Sequence, residues 1–355
     1  MDCRKYIGLD THQASISIAV MDGRGKLTLE ATIETKAASI LAFMEGLRGS
    51  LWVAFEEGTC AAWLYDLLTA RVEKVIVCDP RRNALLKVGN KNDRVDARKL
   101  AELLRAGLLS PVYHGECGVR TLRELAHSYL TVSKDLTRTM NRLKGLYRSW
   151  AIPCAGRRVY SRRHRGSWLE QLSEAGVRRR AEWLYQQFDS LTLHREVRRE
   201  LVAESQRHPA SALLQQIPRL GPIRVALLIA LLQTPHRFRT KRQLWAYCGL
   251  ALQTRTSAEY CFSGGQLQRS RKTPLIRGLN VNHNHELKSI FKSAATFGGV
   301  SASDPLSVFY QQLLAKGAQP ALARLTVARK LAAIVLRVWK KGENFDPERL
   351  KQQAA

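Results

Sequence analysis

The chain has 355 residues, a formal net charge of +27 and an isoelectric point near 10.3. Its length predicts two or three domains, and its 57 Lys and Arg against 30 Asp and Glu predict binding to nucleic acid phosphates, with a ribosome-bound protein as the alternative. Seven cysteines without a CxxC pair, and no apolar run longer than 225–232, argue against a disulfide framework, a zinc site and a membrane span. No signal peptide opens the chain, so we expect a cytoplasmic protein.

Residues 1–112 have the pattern of an α/β domain. The sequence Asp22-Gly23-Arg24-Gly25 lies between two alternating stretches, which predicts a β-hairpin at the start of the domain. Strands that alternate with helices after this hairpin predict a layered α/β architecture. The predicted elements are hairpin strands at 6–20 and 26–34, buried strands at 51–55 and 74–78, and helices at 37–47, 61–70 and 95–105.

Residues 113–209 have the pattern of a coiled coil. Apolar residues recur at alternating steps of three and four, which forms a heptad seam. Pro153 and Gly156 interrupt it, and a second helix is predicted over 168–206. Two long helices with a break between them predict a central antiparallel coiled coil or a dimerisation arm, and a plain helical bundle is the alternative. The seam consists of Leu122, Leu125, Tyr129, Val132, Leu136, Leu143 and Leu146, with Thr139 in one place.

Residues 210–355 predict a mostly α-helical domain. The segment IPRLGPIRVALLIALL at 217–232 is typical of a helix-hairpin-helix, in which a tight turn directs backbone N–H groups at a phosphate. An ordinary helix with proline in its first turn is the alternative. Further helices are predicted at 238–250, 279–295 and 320–340, and a hydroxyl-rich loop at 254–265.

Four acidic residues in the first domain are candidate metal ligands. Asp10 and Glu56 end strands that we expect to be neighbours, and Asp93 and Asp96 share one face of a predicted helix. Hard divalent ions prefer such oxygen ligands and bridge to phosphate oxygens. The set therefore predicts a Mg²⁺ site for phosphoryl transfer, with Mn²⁺ as the alternative ion.

Other interpretations of these acids stay open. Glu57 competes with Glu56, and Asp79 is a further acid at a strand end. Taken singly, Asp93 could cap the helix and Asp96 could be a surface acid.

Basic residues near these acids and elsewhere are candidate phosphate contacts, with a solvated loop as the alternative for each cluster. Lys91 and Arg94 flank the acids on the predicted helix. A C-terminal cluster consists of Arg269, Arg271, Lys272 and Arg277. A cluster between the two long helices consists of Arg157, Arg158, Arg162, Arg163, His164 and Arg165.

The order of Asp10, Glu56 and the run Asp93-x-x-Asp96-Ala97 after a leading hairpin resembles the RuvC-like, RNase H-type nuclease fold. With the coiled coil and the segments IPRLGPIRVALLIALL, RFRTKRQLWAYCGLA, TRTSAEY and LIRGLNVNHNHELK, nearly the whole chain resembles the DEDD transposases of bacterial insertion-sequence family one-hundred-ten. These are bridge-RNA-guided recombinases. The resemblance implies that the four acids bind the metal ion.

The resemblance also implies a nucleophilic serine after the GLA segment, and Ser257 stands at that place. The serine of the family is commonly followed by glycine, whereas Ala258 follows here, and RSRKTPLIRG replaces a later Ser-Lys-x-Gly motif. Ser263 and Ser270 are the rival nucleophiles. Without the resemblance, a serine at such a position is most simply a turn or capping residue.

The expected function is that of an insertion-sequence transposase. The resemblance implies that it cuts and rejoins donor and target DNA with Mg²⁺ and a serine, pairs with a noncoding bridge RNA, and assembles as a dimer to tetramer at the bacterial nucleoid. The first alternative is a RuvC-like, structure-specific DNA endonuclease that uses no serine. The second is a non-enzymatic nucleic-acid-binding protein in which the acids are structural.

Overall fold

The structure, a computed structural model, divides the chain into two compact units, residues 1–116 and 117–355, which we call unit 1 and unit 2. The predicted boundary at 209 between a coiled-coil region and a helical domain stays a prediction. No helix in the described part of the chain has the length and apolar composition that crossing a membrane requires. The structure describes residues 4–80, 92–114, 119–255, 260–263, 266–269, 275–296 and 304–347.

Unit 1 is built on a mixed five-stranded sheet with the strand order β3-β2-β1-β4-β5. The first three strands of the chain pair antiparallel, whereas β1, β4 and β5 run parallel. The predicted α/β architecture is thus confirmed for this unit, and its mixed sheet is consistent with a RuvC-like domain. The elements are β1 (Arg4–Thr11), β2 (Ser15–Met21), β3 (Leu27–Glu34), α1 (Ala37–Glu45), β4 (Ser50–Glu56), α2 (Ala61–Thr69), β5 (Lys74–Cys78) and α3 (Asp93–Ala106).

The predicted hairpin turn is present between β2 and β3. One carboxylate oxygen of Asp22 accepts hydrogen bonds from the backbone N–H groups of Arg24 and Lys26, each at 2.9 Å. Gly25 has a φ of +84°, which glycine adopts without steric cost. The turn residues therefore fix the hairpin locally, as the sequence predicts.

The two faces of the sheet pack against different helices. Large residues such as Ile7, Leu9 and Phe55 are buried against α1 and α2. On the opposite face, Ala19 and Ala54 lie in one cluster with Tyr6 and Met21, and this cluster includes Ala97, Ala101 and Leu104 of α3. Because successive side chains of a strand point to opposite faces, the residues that follow Leu9 and Phe55 lie on the side of α3.

Unit 2 is mostly helical. Its largest core surrounds α9 and α13, whose apolar faces include the fully buried Val225, Leu228 and Leu331. The elements are α4 (Arg120–Ser149), α5 (Arg165–Leu169), α6 (Ala175–Ser190), α7 (His194–Gln206), α8 (Ala210–Gln215), α9 (Pro222–Leu232), α10 (Lys241–Tyr247), β6 (Leu252–Arg255), β7 (Tyr260–Ser263), β8 (Gln266–Arg269), β9 (Leu275–Leu279), α11 (His285–Ala294), α12 (Pro305–Ala315) and α13 (Pro320–Lys341).

The prediction of one long helix over 168–206 is wrong. The segment forms α5, α6 and α7, with an irregular connection before α6 and a 3-10 turn, Leu191–Leu193, after it. In the first connection Leu172 is buried in a cluster with Leu143 and Tyr147, and its carbonyl accepts a hydrogen bond from Arg178. The chain leaves the helix because this burial outweighs local helix propensity.

The heptad seam of α4 packs against helices of the same unit. Leu122 belongs to the core around α9, whereas Leu143 and Leu146 pack with Tyr185 of α6. This packing explains why the seam is apolar without a second copy of the chain. The coiled coil stays a prediction.

The predicted loop over 254–265 contains strands. Strand β6 pairs antiparallel with β9, and β7 pairs antiparallel with β8 in a separate two-stranded sheet. Each of β6, β7 and β8 has four residues, which is too few for an alternating pattern to be recognised in the sequence.

Candidate metal centre at the edge of the N-terminal sheet

Asp10 and Glu56 lie at the carboxyl ends of neighbouring parallel strands. The register pairs Leu9 of β1 with Phe55 of β4, so the next residue of each strand, Asp10 and Glu56, lies beside the other on the two neighbouring strands. Both lie on the face covered by α3, because Leu9 and Phe55 fill the opposite core. The side chain of Asp10 is 23% exposed, and Glu56 is half-buried.

Gly8 allows α3 to pack directly on β1. A Cβ atom at Gly8 would lie 2.1 Å from the carbonyl oxygen of Ala97 and 2.6 Å from the backbone nitrogen of Ala101. Both distances are far below van der Waals contact, so only glycine permits this approach. The first turn of α3 carries Asp93 and Asp96, and the close packing brings it to the end of β1.

Among the residues that the structure describes, Asp10, His12 and Asp93 form a group that can hold a metal ion. Their ligand atoms lie within 4.8 Å of one another. Nε2 of His12 is 3.2 Å from Oδ2 of Asp10 and 3.5 Å from Oδ1 of Asp93. The side chain of Asp93 is 59% exposed, so the group is open to a large ligand on one side.

Negative charge accumulates at this group. Burial raises the pKa of Asp10, and the charges of Asp93 and Asp96 raise it further, whereas His12 lowers it. Oδ1 of Asp96 is buried and makes no hydrogen bond among the described residues, and Nζ of Lys99 lies 3.8 Å away. Lys99 supplies part of the counter-charge for this buried oxygen, and a divalent ion beside Asp10 and Asp93 would add to it. These residues therefore suit a divalent cation.

The structure brings together part of the predicted ligand set. Asp10 and Asp93 converge, and Asp96 is close enough to act on the charge of Asp10. Within the residues that the structure describes, Glu56 and Asp96 are not among the groups that meet within 4.8 Å. His12 is a member that the sequence analysis missed. The sequence feature that could have revealed His12 is its spacing from Asp10, because side chains two residues apart in an extended segment point to the same side.

The rivals of Glu56 differ from it in their surroundings. Glu57 forms an ion pair of 2.6 Å with Nε2 of His114, whose side chain is 7% exposed and whose ring packs at a tilt of 35° against that of Tyr65. Asp79 follows β5, which is one strand further from β1 than β4 is. Strand order and this ion pair therefore favour Glu56 as the partner of Asp10.

The predicted phosphate contacts are only partly within the described structure. Arg94 is exposed on the first turn of α3. Arg162 and Arg163 are exposed on a 3-10 turn, where Nη2 of Arg162 lies 3.4 Å from Asp189. Ser263, Arg269 and Arg277 are in strands β7, β8 and β9. The residues that lie outside the described part are Lys91, Ser257, Ser270, Arg271 and Lys272.

The acids and the C-terminal helices both lie in regions that match known protein families. Residues 7–149 match the DEDD transposase domain of the IS110 family, and residues 211–279 match the transposase domain of the IS116/IS110/IS902 family. The mixed sheet, the clustered acids and these matches define the class of the protein, a DEDD transposase, which is a DNA-recombining enzyme. DEDD transposase domains typically use divalent metal ions.

The two matches cover more than half of the chain. The chain belongs to the IS110 family of transposases. The first match includes Asp10, Glu56, Asp93 and Asp96, and the second includes Ser257. A comparison with curated proteins finds no match.

Proposed function

We propose that the chain moves an insertion sequence by cutting and rejoining DNA at a Mg²⁺ site, with Mn²⁺ as the alternative ion. The observation that carries the proposal is the convergence of Asp10 and Asp93 on His12, beside the buried oxygen of Asp96. The proposed ligands are Asp10, Glu56, Asp93 and Asp96. Oxygen donors of this kind suit Mg²⁺ and Mn²⁺ better than softer ions.

A divalent ion at this site would polarise the scissile phosphate and stabilise the leaving oxygen. The residues of the chain have separate tasks. Asp10 and Glu56 are fixed by strand pairing, whereas Asp93 and Asp96 are positioned by the packing of α3 on Gly8. Nε2 of His12 lies within 3.5 Å of a carboxylate oxygen of both Asp10 and Asp93 and would help to orient the two acids.

Ser257 is the proposed nucleophile, a role that rests on the resemblance to the family. Its oxygen would bond to phosphorus while the bond from phosphorus to one deoxyribose oxygen breaks. The hydroxyl proton would pass to a base, and the departing sugar oxygen would take up a proton. The phosphoserine ester would retain the energy of the phosphodiester, which a second strand would use for rejoining.

A noncoding bridge RNA is the proposed source of sequence choice between donor and target DNA. The net charge of +27 and the exposed Arg94, Arg162 and Arg163 support binding to phosphates. The other proposed contacts are Lys91, Arg269, Arg271, Lys272 and Arg277. The proposed assembly is a dimer to tetramer, a proposal that rests on the resemblance to the family, because the described packing of the α4 seam lies within one unit.

The metal site is tested by thermal unfolding of the full chain with and without Mn²⁺ or Mg²⁺. An ion that binds only the folded state raises its stability. We expect this gain in the native protein and its loss in Asp10→Asn and Asp93→Asn. Glu102→Gln is the matched control, because Glu102 is exposed near the other end of α3. An undiminished gain in Asp10→Asn would place the ion elsewhere.

The nucleophile is tested with labelled donor DNA and denaturing electrophoresis. A serine recombinase forms a covalent protein–DNA adduct that is absent in Ser257→Ala and present in Ser263→Ala. Metal-dependent cutting that continues without an adduct in the native protein would favour the RuvC-like endonuclease. Equal recombination with and without the flanking transcript of the element would exclude the guide RNA.

A further inference from the structure

Two adjoining cavities in unit 2 lie outside the candidate metal centre and share Arg195 and Arg198 in their linings. The first has a volume of about 920 Å³ and lies between α7 and the start of α9. The second has a volume of about 470 Å³ and lies between α4, α6 and α7. We call the two together the α7 groove. Neither contributes to the function proposed above.

The α7 groove carries a row of arginines from one helix face. Arg195, Arg198 and Arg199 recur at steps of three and four together with Val202, so they lie on the same side of α7. All three are exposed, and among the residues that the structure describes none pairs with a carboxylate. The glutamates of α7 are not part of the lining of either cavity. The groove therefore has an uncompensated positive charge.

A fourth arginine and the start of α9 add to this charge. Arg224 is half-buried, and burial lowers its pKa, with a further decrease from the charge of Arg219. Its guanidinium donates to the backbone carbonyl of Arg219 at 2.8 Å. No side chain caps the first turn of α9 at Gly221. The half-buried cation and the positive end of the helix dipole both favour an anion in the first cavity.

The second cavity has apolar and aromatic walls. The rings of Tyr160 and Phe188 are stacked, with centroids 5.6 Å apart, and Leu136 and Met140 complete the apolar lining. Arginine side chains lie at its border with the first cavity. Flat apolar walls beside a row of cations are the combination by which proteins bind an unstacked base and its phosphate.

We propose that the α7 groove binds a single-stranded stretch of nucleic acid. Phosphates would follow the arginines of α7 towards the start of α9, and one unpaired base would enter the cavity of Tyr160 and Phe188. A duplex keeps its bases stacked inside, so it could use only the arginines. The inference rests on the proposed function for the presence of nucleic acid, but not on the metal ion or on Ser257.

The test measures binding of short fluorescent RNA, single-stranded DNA and duplex DNA by anisotropy at several salt concentrations. The protein is the full chain with Asp10→Asn, in EDTA, so that no strand is cut. In Arg195→Gln/Arg198→Gln we expect at least tenfold weaker binding of the single strand. The slope of log affinity against log salt should fall by about 1.4, which is about 0.7 for each lost phosphate contact.

Matched variants separate a contact from a general loss of charge. Arg180→Gln removes an exposed arginine of α6 that does not line the groove, and it should change affinity less than twofold. Arg195→Lys/Arg198→Lys should keep most of the salt slope. Phe188→Leu should weaken single-strand binding about fivefold or more without changing that slope, since stacking is lost and charge is not. Thermal melts check that each variant is folded.

The outcomes are distinct. The inference is supported if either single strand binds more tightly than the duplex and if this preference is lost in Arg195→Gln/Arg198→Gln. The single strand that binds more tightly then identifies RNA or DNA as the ligand. Equal loss in Arg180→Gln, or stronger binding of duplex that depends on Arg195 and Arg198, would overturn it. Because strand transfer is not measured, failure of the metal or serine proposal would leave this result unchanged.

Discussion

Gly8→Ala is expected to damage both the fold of unit 1 and its metal centre. The new methyl group would meet the carbonyl oxygen of Ala97 at 2.1 Å, the nitrogen of Ala101 at 2.6 Å and Cβ of Leu100 at 2.9 Å. Two of these atoms belong to the helix backbone, which cannot rotate away. Relief therefore requires α3 to move by about 1 Å, since carbon atoms pack at about 3.5 Å or more.

The expected cost follows from this displacement. Overpacking of a core costs about 1–3 kcal/mol, and the clash with backbone atoms puts the expected cost of Gly8→Ala at about 3 kcal/mol. For a unit of about this size, the melting temperature should fall by roughly 10 °C or more. The same movement carries Asp93 away from Asp10, so the affinity for Mn²⁺ should fall about tenfold or more, as for other losses of ligand support.

The assay is thermal unfolding and Mn²⁺ titration of the full chain. Gly23→Ala is the control, because Gly23 is exposed in the hairpin turn and an added Cβ would meet no atom within 4 Å. It should change both measurements little. A Gly8→Ala protein with native stability and native Mn²⁺ affinity would refute the role given to the packing of α3 on β1.

Three further predictions concern unit 2. His208 accepts a hydrogen bond at Nδ1 from the first amide of α8, and burial lowers its pKa. As the pH falls, the unfolded chain therefore binds a proton at this histidine before the folded chain does. The melting temperature should decrease as the pH is lowered from about 6.5, and this decrease should be smaller in His208→Asn. Leu143→Ala should lower the free energy of unfolding by about 2–4 kcal/mol, because Leu143 is fully buried. A loss that varies with protein concentration would instead indicate that the seam packs between copies of the chain. Arg165, 17% exposed, forms two hydrogen bonds of 2.6 Å with Asp189, so Arg165→Met should lower the unfolding free energy by about 2 kcal/mol. Arg162→Met, at a side chain 73% exposed, should cost less than about 0.5 kcal/mol, and equal costs would contradict this assignment.

The sequence was most informative where neighbouring residues alone decide the local structure. The strand at 74–78 was predicted with its observed bounds, since a short apolar run next to a turn has few other solutions. Helix α3 was predicted at 95–105 but begins at Asp93, because the side chain of Asn92 accepts a hydrogen bond from the amide of Arg94 and caps it. Local signals of this kind can be recognised without tertiary information.

The errors arose where distant residues decide the local structure. The break before α6 depends on the burial of Leu172 in a cluster that α4 completes. His12 joins the metal centre only because α3, some eighty residues later, packs on Gly8. Neither fact is encoded within a window of neighbouring residues. Periodicity could therefore predict Asp10 as a candidate ligand, but not the full group around it.

Gly8 of β1 faces Ala97 and Ala101 of α3, so the strand and the helix pack almost backbone to backbone at this point. This packing holds Asp93 at the rim of the metal-binding group, where its side chain is 59% exposed. A rigid rod as wide as a DNA double helix can reach such a rim without bending or melting.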